Sequence, residues 1–372
     1  MTPEGETPKE KVVVAAVSGG PDSVYLLLGK LAREKETRVV VGHVNYGTRG
    51  AESAKDQKLV DIICEKLGYH KEILALKKGT LTGRSKGVTG TRGNFPTGFE
   101  AKAREVRYRF LKDLAGEVGA EAIVLAHTAD DQVETVLMRV FEGAGIGGLK
   151  GIPCDTGDGI RRPILDVWKE EILDYLKKRK IPYRIDRSNA DTRFERNWVR
   201  HVLIPLLEKR YGKAVKKRIF ALGERFRELD DYLEDEAGRW IRRNVRSVRA
   251  DRSVGAHRGK SGSPRTAAKG IVFRRKPFSG LPSVLRVKIL QRVCFDRLGV
   301  APNERLLAAM DRSVCGGGPS ARVNVGKGWR VANRYEEARF LPGEAARGRR
   351  SALHQVLIAA PGEYEVSRGH GG

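Results

Sequence analysis

Two short stretches of this 372-residue chain combine residue types at spacings that can do chemistry on a phosphate-bearing ligand. The first is Ser18-Gly19-Gly20-Pro21-Asp22-Ser23, between the Val-rich run Lys11–Val17 and the apolar stretch Val24–Leu28. A Gly-Gly turn between a strand and a helix lets the backbone approach an anion closely, with free N–H groups and the positive end of the helix dipole towards it. No Gly-Lys-Ser/Thr follows at the required spacing, so this is not the Walker arrangement. Taken locally, it reads equally as a tight strand–helix turn with a good cap. The second stretch is Leu125–Thr135, in which Asp131 and Glu134 lie three apart and share one helix face. Paired carboxylates at a strand end opposite a phosphate loop suit Mg²⁺, an oxygen-seeking ion that bridges polyphosphate. They suit an ammonium group as well, or simply the dipole of the helix they begin.

The elements that must position these residues are legible in the hydrophobic patterning. Residues 11–17, 38–45, 73–76 and 122–126 read as buried strands, short, apolar and without alternation. Between them, 52–67 and 99–118 carry apolar residues at helical spacing, and Thr128 with Asp131 predicts a capping box opening a helix over 129–141. Strands alternating with helices predict an α/β fold with a doubly wound parallel sheet. Its ligands lie beyond the carboxyl ends of the strands, where the Gly-Gly loop, His43–Asn45 and His127–Asp131 should converge. Helices follow over 168–178, 198–208 (interrupted at Pro205, with Trp198 assigned to the core) and 214–246. Residues 278–372 read as a small α+β domain. The resulting division is 1–210 for the nucleotide-binding and catalytic domain, 211–250 for a helical RNA-binding region, 251–277 for a basic flexible linker, and 278–372 for the C-terminal domain. The Gly-, Thr- and Lys/Arg-rich stretch 77–98 reads as a surface loop, either a functional lid or disordered.

Composition narrows the partner. Lys+Arg number 71 against 46 Asp+Glu, a formal charge of +25 that favours polyanions, nucleic acid before acidic membranes. No apolar run approaches the roughly 20 residues of a membrane span. The first ten residues lack the apolar core of a signal peptide, which sets a cytoplasmic location as the expectation. Cys64, Cys154, Cys294 and Cys315 form no Cys-x-x-Cys pair, against a zinc site or a disulfide framework.

The hexapeptide at 18–23 resembles the PP-loop of the N-type ATP pyrophosphatases, which cut ATP between its α- and β-phosphates and adenylate a substrate oxygen. Four further blocks in order make the resemblance narrower. They are His43–Gly50, Phe99–Tyr108, His127–Glu134 with Glu142–Gly145 and Gly148–Gly151, and Arg162–Leu165 with Asp186–Asn189, Arg196-Asn197 and Arg200. Together, over roughly residues 11–210, they look like the bacterial tRNA(Ile)-lysidine synthetases.

That resemblance implies ATP and Mg²⁺ as cofactors, and as partners a CAU-anticodon tRNA(Ile) and free lysine; a homodimer stays open. The wobble cytidine would be adenylated at its C2 oxygen, and the lysine ε-amine would then expel AMP. Ser18, Gly19, Gly20, Pro21, Asp22 and Ser23 would bind the pyrophosphate end of ATP. His43 and His127 would contact adenine or ribose, or serve as structural histidines. Asp131 and Glu134 would hold Mg²⁺ or orient the amine. Arg104 and Arg107 would neutralise the phosphoryl transition state or the tRNA backbone, unless they form a solvated basic face. Arg49, Arg193, Arg196, Asn197 and Arg200 would bind tRNA. Three departures stand out: Tyr46 and Thr48 replace a histidine and a leucine, and Glu142 replaces an arginine before Gly-x-Gly. A PP-loop tRNA thiolase, which generally needs paired cysteines, and a non-catalytic RNA-binding protein are the alternatives.

Overall fold

In a computed structural model the residues described are 11–47, 51–76, 97–185, 191–249, 269–319 and 321–342, with the backbone of 356–358 and 364–366. The chain divides into two compact units, Met1–Glu228 and Leu229–Gly372.

The first unit is built on β1 (Lys11–Ala16), β2 (Thr37–Asn45), β3 (His70–Ala75), β4 (Ala122–Val124) and β5 (Ile160–Arg161). They form one parallel sheet in the order β3-β2-β1-β4-β5. Around it run α1 (Pro21–Tyr25, continued by a π-turn over Leu26–Lys30), α2 (Ala51–Leu67), α3 (Thr97–Glu117), α4 (Ala129–Phe141), α5 (Ile146–Leu149) and α6 (Lys169–Lys178). Then come α7 (Glu195–Trp198), α8 (Ile204–Tyr211) and α9 (Ala214–Asn244). The period of two in β1 explains the double winding. Val13 and Ala15 pack with Val24, Leu27, Val60 and Ile63 on one face, while Val14 packs with Leu111 and Leu114 on the other. Gly42 in β2 permits the second contact: a Cβ there would stand 2.7 Å from Leu111 Cδ2.

The strand order reverses between β1 and β4, so the loops leaving these two strands open onto one crevice at the switch point. Three local expectations are revised. Residues 143–166, where the sequence predicts no element, contain α5 and β5, and the two residues of β5 are too few to show a pattern. Pro205 does not interrupt its helix, because a π-turn over Val199–Leu203 precedes it and Pro205 falls in the first turn of α8, where a missing N–H costs nothing. Trp198 is 41% exposed and so not a core residue; Val199 is buried in its place.

The second unit holds β6 (Arg246–Arg249), β7 (Lys269–Arg274), α10 (Arg275–Ser279), α11 (Ser283–Arg292), α12 (Glu304–Gly316), β8 (Arg322–Gly326), β9 (Trp329–Arg334) and β10 (Glu337–Pro342). Its antiparallel sheet has the order β6-β7-β10-β9-β8, and β11 (Val356–Ile358) pairs with β12 (Tyr364–Val366). Trp240, Phe273, Phe278 and Phe340 stack in its core, and buried Lys288 is held by Asp230 and Glu234, each at 2.6 Å. Residues 269–277, assigned by composition to the linker, form β7 and part of α10. Their alternate apolar residues Ile271 and Phe273 enter that core. The rest of the linker, the 77–98 loop apart from Thr97 and Gly98, Thr48, Arg49 and the whole Asp186–Asn189 block lie outside the described residues. Among the described residues no helix is long and apolar enough to cross a membrane.

Candidate functional site

The glycine loop turns from β1 into α1 by using its two serines on itself. Ser23 Oγ accepts from the Ser18 N–H at 3.3 Å and donates to the Gly20 carbonyl at 3.0 Å, while the Gly20 N–H donates to Ser18 Oγ at 3.3 Å. Gly19 sits at φ +83°, a conformation that L side chains rarely adopt. Pro21 occupies the first turn of α1, where its fixed φ suits the helix, and Asp22 lies in the same turn. His43, at the end of β2, is 3% exposed and its Nδ1–H donates to the Val17 carbonyl at 2.8 Å. It lies beneath the loop and braces the residue that enters it. Burial depresses its pKa, and its Nε2 has no partner among the described residues.

The second stretch forms the expected capping box. Thr128 N–H and Oγ1–H both reach Asp131 Oδ2 at 2.9 Å, and the Asp131 N–H returns to Thr128 Oγ1 at 3.4 Å. The other carboxylate oxygen meets two arginines from the helical segment that begins at α7. Arg196 Nη2 and Arg200 Nη2 stand 3.2 and 3.1 Å from Asp131 Oδ1. The same side chains clamp Glu134, Arg196 Nε at 2.9 Å from Oε2 and Arg200 Nε at 2.5 Å from Oε1. Glu134 is 1% exposed while both arginines are more than a third exposed, so this is a quartet of two sheltered anions and two half-exposed cations. Burial alone would raise the Asp131 pKa, yet Arg196, His127, the Thr128 N–H and Arg200 together hold it below its ordinary value.

This arrangement bears on two expectations. The guanidinium groups of Arg196 and Arg200 take the oxygens of Asp131 and Glu134 that Mg²⁺ was expected to use, and among the described residues no group of three or more His, Cys, Asp or Glu is placed to hold a metal ion. Arg196 and Arg200, expected to face tRNA, turn inward onto those acids. Arg193 instead makes a forked pair with Asp191, and Asn197 Nδ2 donates to the Asp191 carbonyl at 3.0 Å, so both shape the turn before α7. Arg104 stacks over Tyr108 at 4.9 Å and, like Arg107, is exposed on α3. Glu142 pairs with Arg139 at 2.6 Å, which neutralises the carboxylate that departs from the family pattern.

Several residues of the site escaped the sequence reading. Lys169 Nζ grips Asp22 at 2.6 and 2.7 Å, while its backbone N–H donates to Asp130 Oδ2 at 2.8 Å, tying the glycine loop to α4. A lysine at a helix N-terminus opposes the macrodipole, and that misfit was the available signal of a partner elsewhere. Burial, the largest influence on Asp22, raises its pKa against the pull of Lys169, with Asp131 adding to the rise. Lys216 takes the other Asp130 oxygen at 2.7 Å and lies over the Trp168 ring. Arg184 donates from its backbone to the Gly19 carbonyl at 2.9 Å and from its side chain to Asp56 and Glu52. Gln132, fully buried, bonds the Lys150 carbonyl and the Ile152 N–H and pins the glycine-rich segment beside α4.

His127 accepts a hydrogen bond from Arg162 Nε at 3.3 Å, and its pKa is pushed down to about 4 by burial, opposed by Asp131 and aided by Arg162, Arg196 and Arg104. Both His127 and His43 would titrate at 6.5 in the unfolded chain, which therefore takes up protons first as pH falls. For His127 the stabilisation is complete above 6.5 and is lost as pH drops towards about 4, by up to about 1.4 kcal/mol per pH unit; His43, also lowered by burial, acts in the same sense. Asp22, raised in the fold, acts in the opposite sense at the acid end. Urea unfolding at a series of pH values checks this: His127→Gln should flatten the slope, and a flat wild-type profile would contradict it.

Comparison with known proteins identifies relatives of this chain by sequence. Residues 3–207 match the PP-loop domain family. A tRNA(Ile)-lysidine synthase of Porphyromonas gingivalis is 38% identical over 200 residues, 54% of this chain and 41% of that protein. Its namesake in Clostridioides difficile is 34% identical over 227 residues, 60% and 47% of the two chains. That of Thermus thermophilus is 34% identical over 315 residues, 83% of this chain and 53% of the relative. The chain thus spans about half the length of these curated relatives.

Proposed function

Because the chain belongs to the PP-loop domain family, we propose that it is a tRNA(Ile)-lysidine synthetase, which binds ATP and ligates lysine to C2 of the wobble cytidine of a CAU-anticodon tRNA(Ile), releasing AMP and pyrophosphate. The observation that carries this reading is the bridge through Lys169, which joins the glycine loop and the acid-bearing helix α4 at one switch point. The backbone N–H groups and hydroxyls of Ser18–Ser23 bind the pyrophosphate end of ATP and stabilise charge on the leaving group. Mg²⁺ enters as the counter-ion of the ATP substrate.

Asp131 and Glu134 recognise the lysine ammonium. Arg196 and Arg200, with Nε and Nη2 on these acids, keep the carboxylates ionised and supply cationic charge next to the reacting phosphate. Arg104 and Arg107, on the exposed face of α3, neutralise phosphates of the nucleotide or the tRNA; Arg49 adds a tRNA contact. Arg193 and Asn197 serve that contact by fixing the turn ahead of α7. His43 acts on the nucleotide through the loop it braces. The charge of +25 suits a tRNA partner. Thiolation is disfavoured by the scattered cysteines: Cys64 and Cys294 are buried, and only Cys154 is exposed.

The test is incubation of the purified protein with ATP, Mg²⁺, labelled lysine and a CAU-anticodon tRNA(Ile), with a transcript changed at the wobble base as control. Label in the CAU transcript alone is the expected outcome. AMP and pyrophosphate without incorporation would point to another nucleophile, and tight tRNA binding without turnover to a non-catalytic protein.

A further inference from the structure

Arg162 lies directly after β5 and is 6% exposed, a deep position for a guanidinium. Its Nη1 donates to the Pro153 carbonyl at 2.7 Å and its Nε to His127 Nδ1 at 3.3 Å, with the Tyr108 side chain as a further partner. A guanidinium offers donors and no acceptor, so the Nδ1 that receives this bond must hold a lone pair. The neutral His127 ring therefore carries its hydrogen on Nε2. Among the described residues no acceptor takes that Nε2–H. The ring stands at the carboxyl end of β4, one residue before the Thr128 cap, within reach of the Asp131 charge; Asp131 in turn acts on Asp22 of the glycine loop.

We propose that Arg162 is a positioning residue that locks His127 as an Nε2–H donor to an oxygen of the nucleotide held by the glycine loop. This rests on the reading of the crevice as an ATP site. A histidine left to solvent exchanges between two tautomers and an imidazolium near neutral pH, so its donor is neither fixed nor constant. Here the groups facing the ring are Asp131 on α4, Arg196 on α7, Arg104 on α3 and Arg162 itself. Three cations against one carboxylate, in a buried setting, disfavour the imidazolium. The bond from Arg162 then selects between the two neutral forms. The same arginine grips Pro153, so the ring and the glycine-rich segment are set by one side chain.

The proposal is tested on the full chain by ¹⁵N NMR with labelled histidine, His127 being assigned by its loss in His127→Gln. The expected result is a protonated Nε2 and a bare Nδ1 throughout the neutral range, with ATP shifting the Nε2 signal. In Arg162→Met the two tautomers mix, the ring titrates at higher pH, and ATP binding weakens roughly tenfold, the worth of one hydrogen bond to a charged group. Arg162→Lys, which keeps the charge without the fork, gives the same mixing should the methionine variant fold poorly. A wild-type Nδ1–H tautomer, an unchanged tautomer in both variants, or an Nε2 signal indifferent to ATP would each overturn the proposal. Failure of lysine transfer with these signals intact removes the lysidine reading instead, so the two fail separately.

Discussion

Glu134→Gln is expected to cut lysine incorporation by roughly a hundredfold or more, the usual consequence of breaking a desolvated charge pair. Glu134 is almost wholly buried and takes three guanidinium hydrogen bonds, at 2.9, 2.5 and 3.0 Å. With its charge removed, Arg196 and Arg200 keep only Asp131, and a neutral quartet becomes a site of net charge +1. Removing one partner of a fully buried pair costs about 3–5 kcal/mol; because both arginines here are more than a third exposed, about 2 kcal/mol is expected. A melt and a lysine-transfer assay separate the two consequences. In the double variant Glu134→Gln, Arg200→Met part of the lost stability should return, since the surplus cation is gone, while transfer stays abolished. Transfer restored in the double variant would mean that the acid serves only to hold the arginine, and that the ammonium is recognised elsewhere.

Gly19→Ala is expected to slow ATP–pyrophosphate exchange by roughly 10²–10³ while lowering the melting temperature by only about 2–8 °C. Gly19 holds φ +83°, and a Cβ would stand 3.4 Å from the Asp56 carbonyl oxygen. Keeping that backbone costs alanine about 1–2 kcal/mol. Relaxing it instead turns the Gly19–Gly20 amide out of the anion cradle, and losing one preorganised donor to a developing charge costs roughly 10²–10³ in rate. The Arg184 N–H bond to the Gly19 carbonyl resists that relaxation, so strain and lost donation are both felt. Ser23→Ala should do less, since it loosens the turn without changing its dihedral preference. Full exchange activity in Gly19→Ala would show that the loop does not present its amides to the nucleotide.

The elements of the first unit were legible because their signals are local. A short Val-rich run without alternation favours a strand buried on both faces, because β-branched residues suit the pleated backbone, and β1 and β2 are that. The Thr128–Asp131 box was equally plain, being settled within four residues. Failures came where a neighbour far along the chain decides. The two residues of β5 become a strand only because β4 offers a free edge. Trp198 and Val199 are adjacent in sequence, and only the rotation of the helix against α4 sets which of them is buried.

The candidate site divides in the same way. Its chemistry is written in short segments: a Gly-Gly anion loop after a strand, two acids on one helix face, and a surplus of arginine. Backbone propensity, helical period and side-chain charge are all properties of such segments. The pairings belong to the folded chain alone. Arg196 and Arg200 turn onto Asp131 and Glu134, 62 to 69 positions away in sequence, rather than out towards RNA. Lys169 reaches Asp22 across 147 positions. A buried carboxylate requires a cation, but which one is fixed by where parallel strands and their crossovers bring distant segments together, and no local signal encodes that distance.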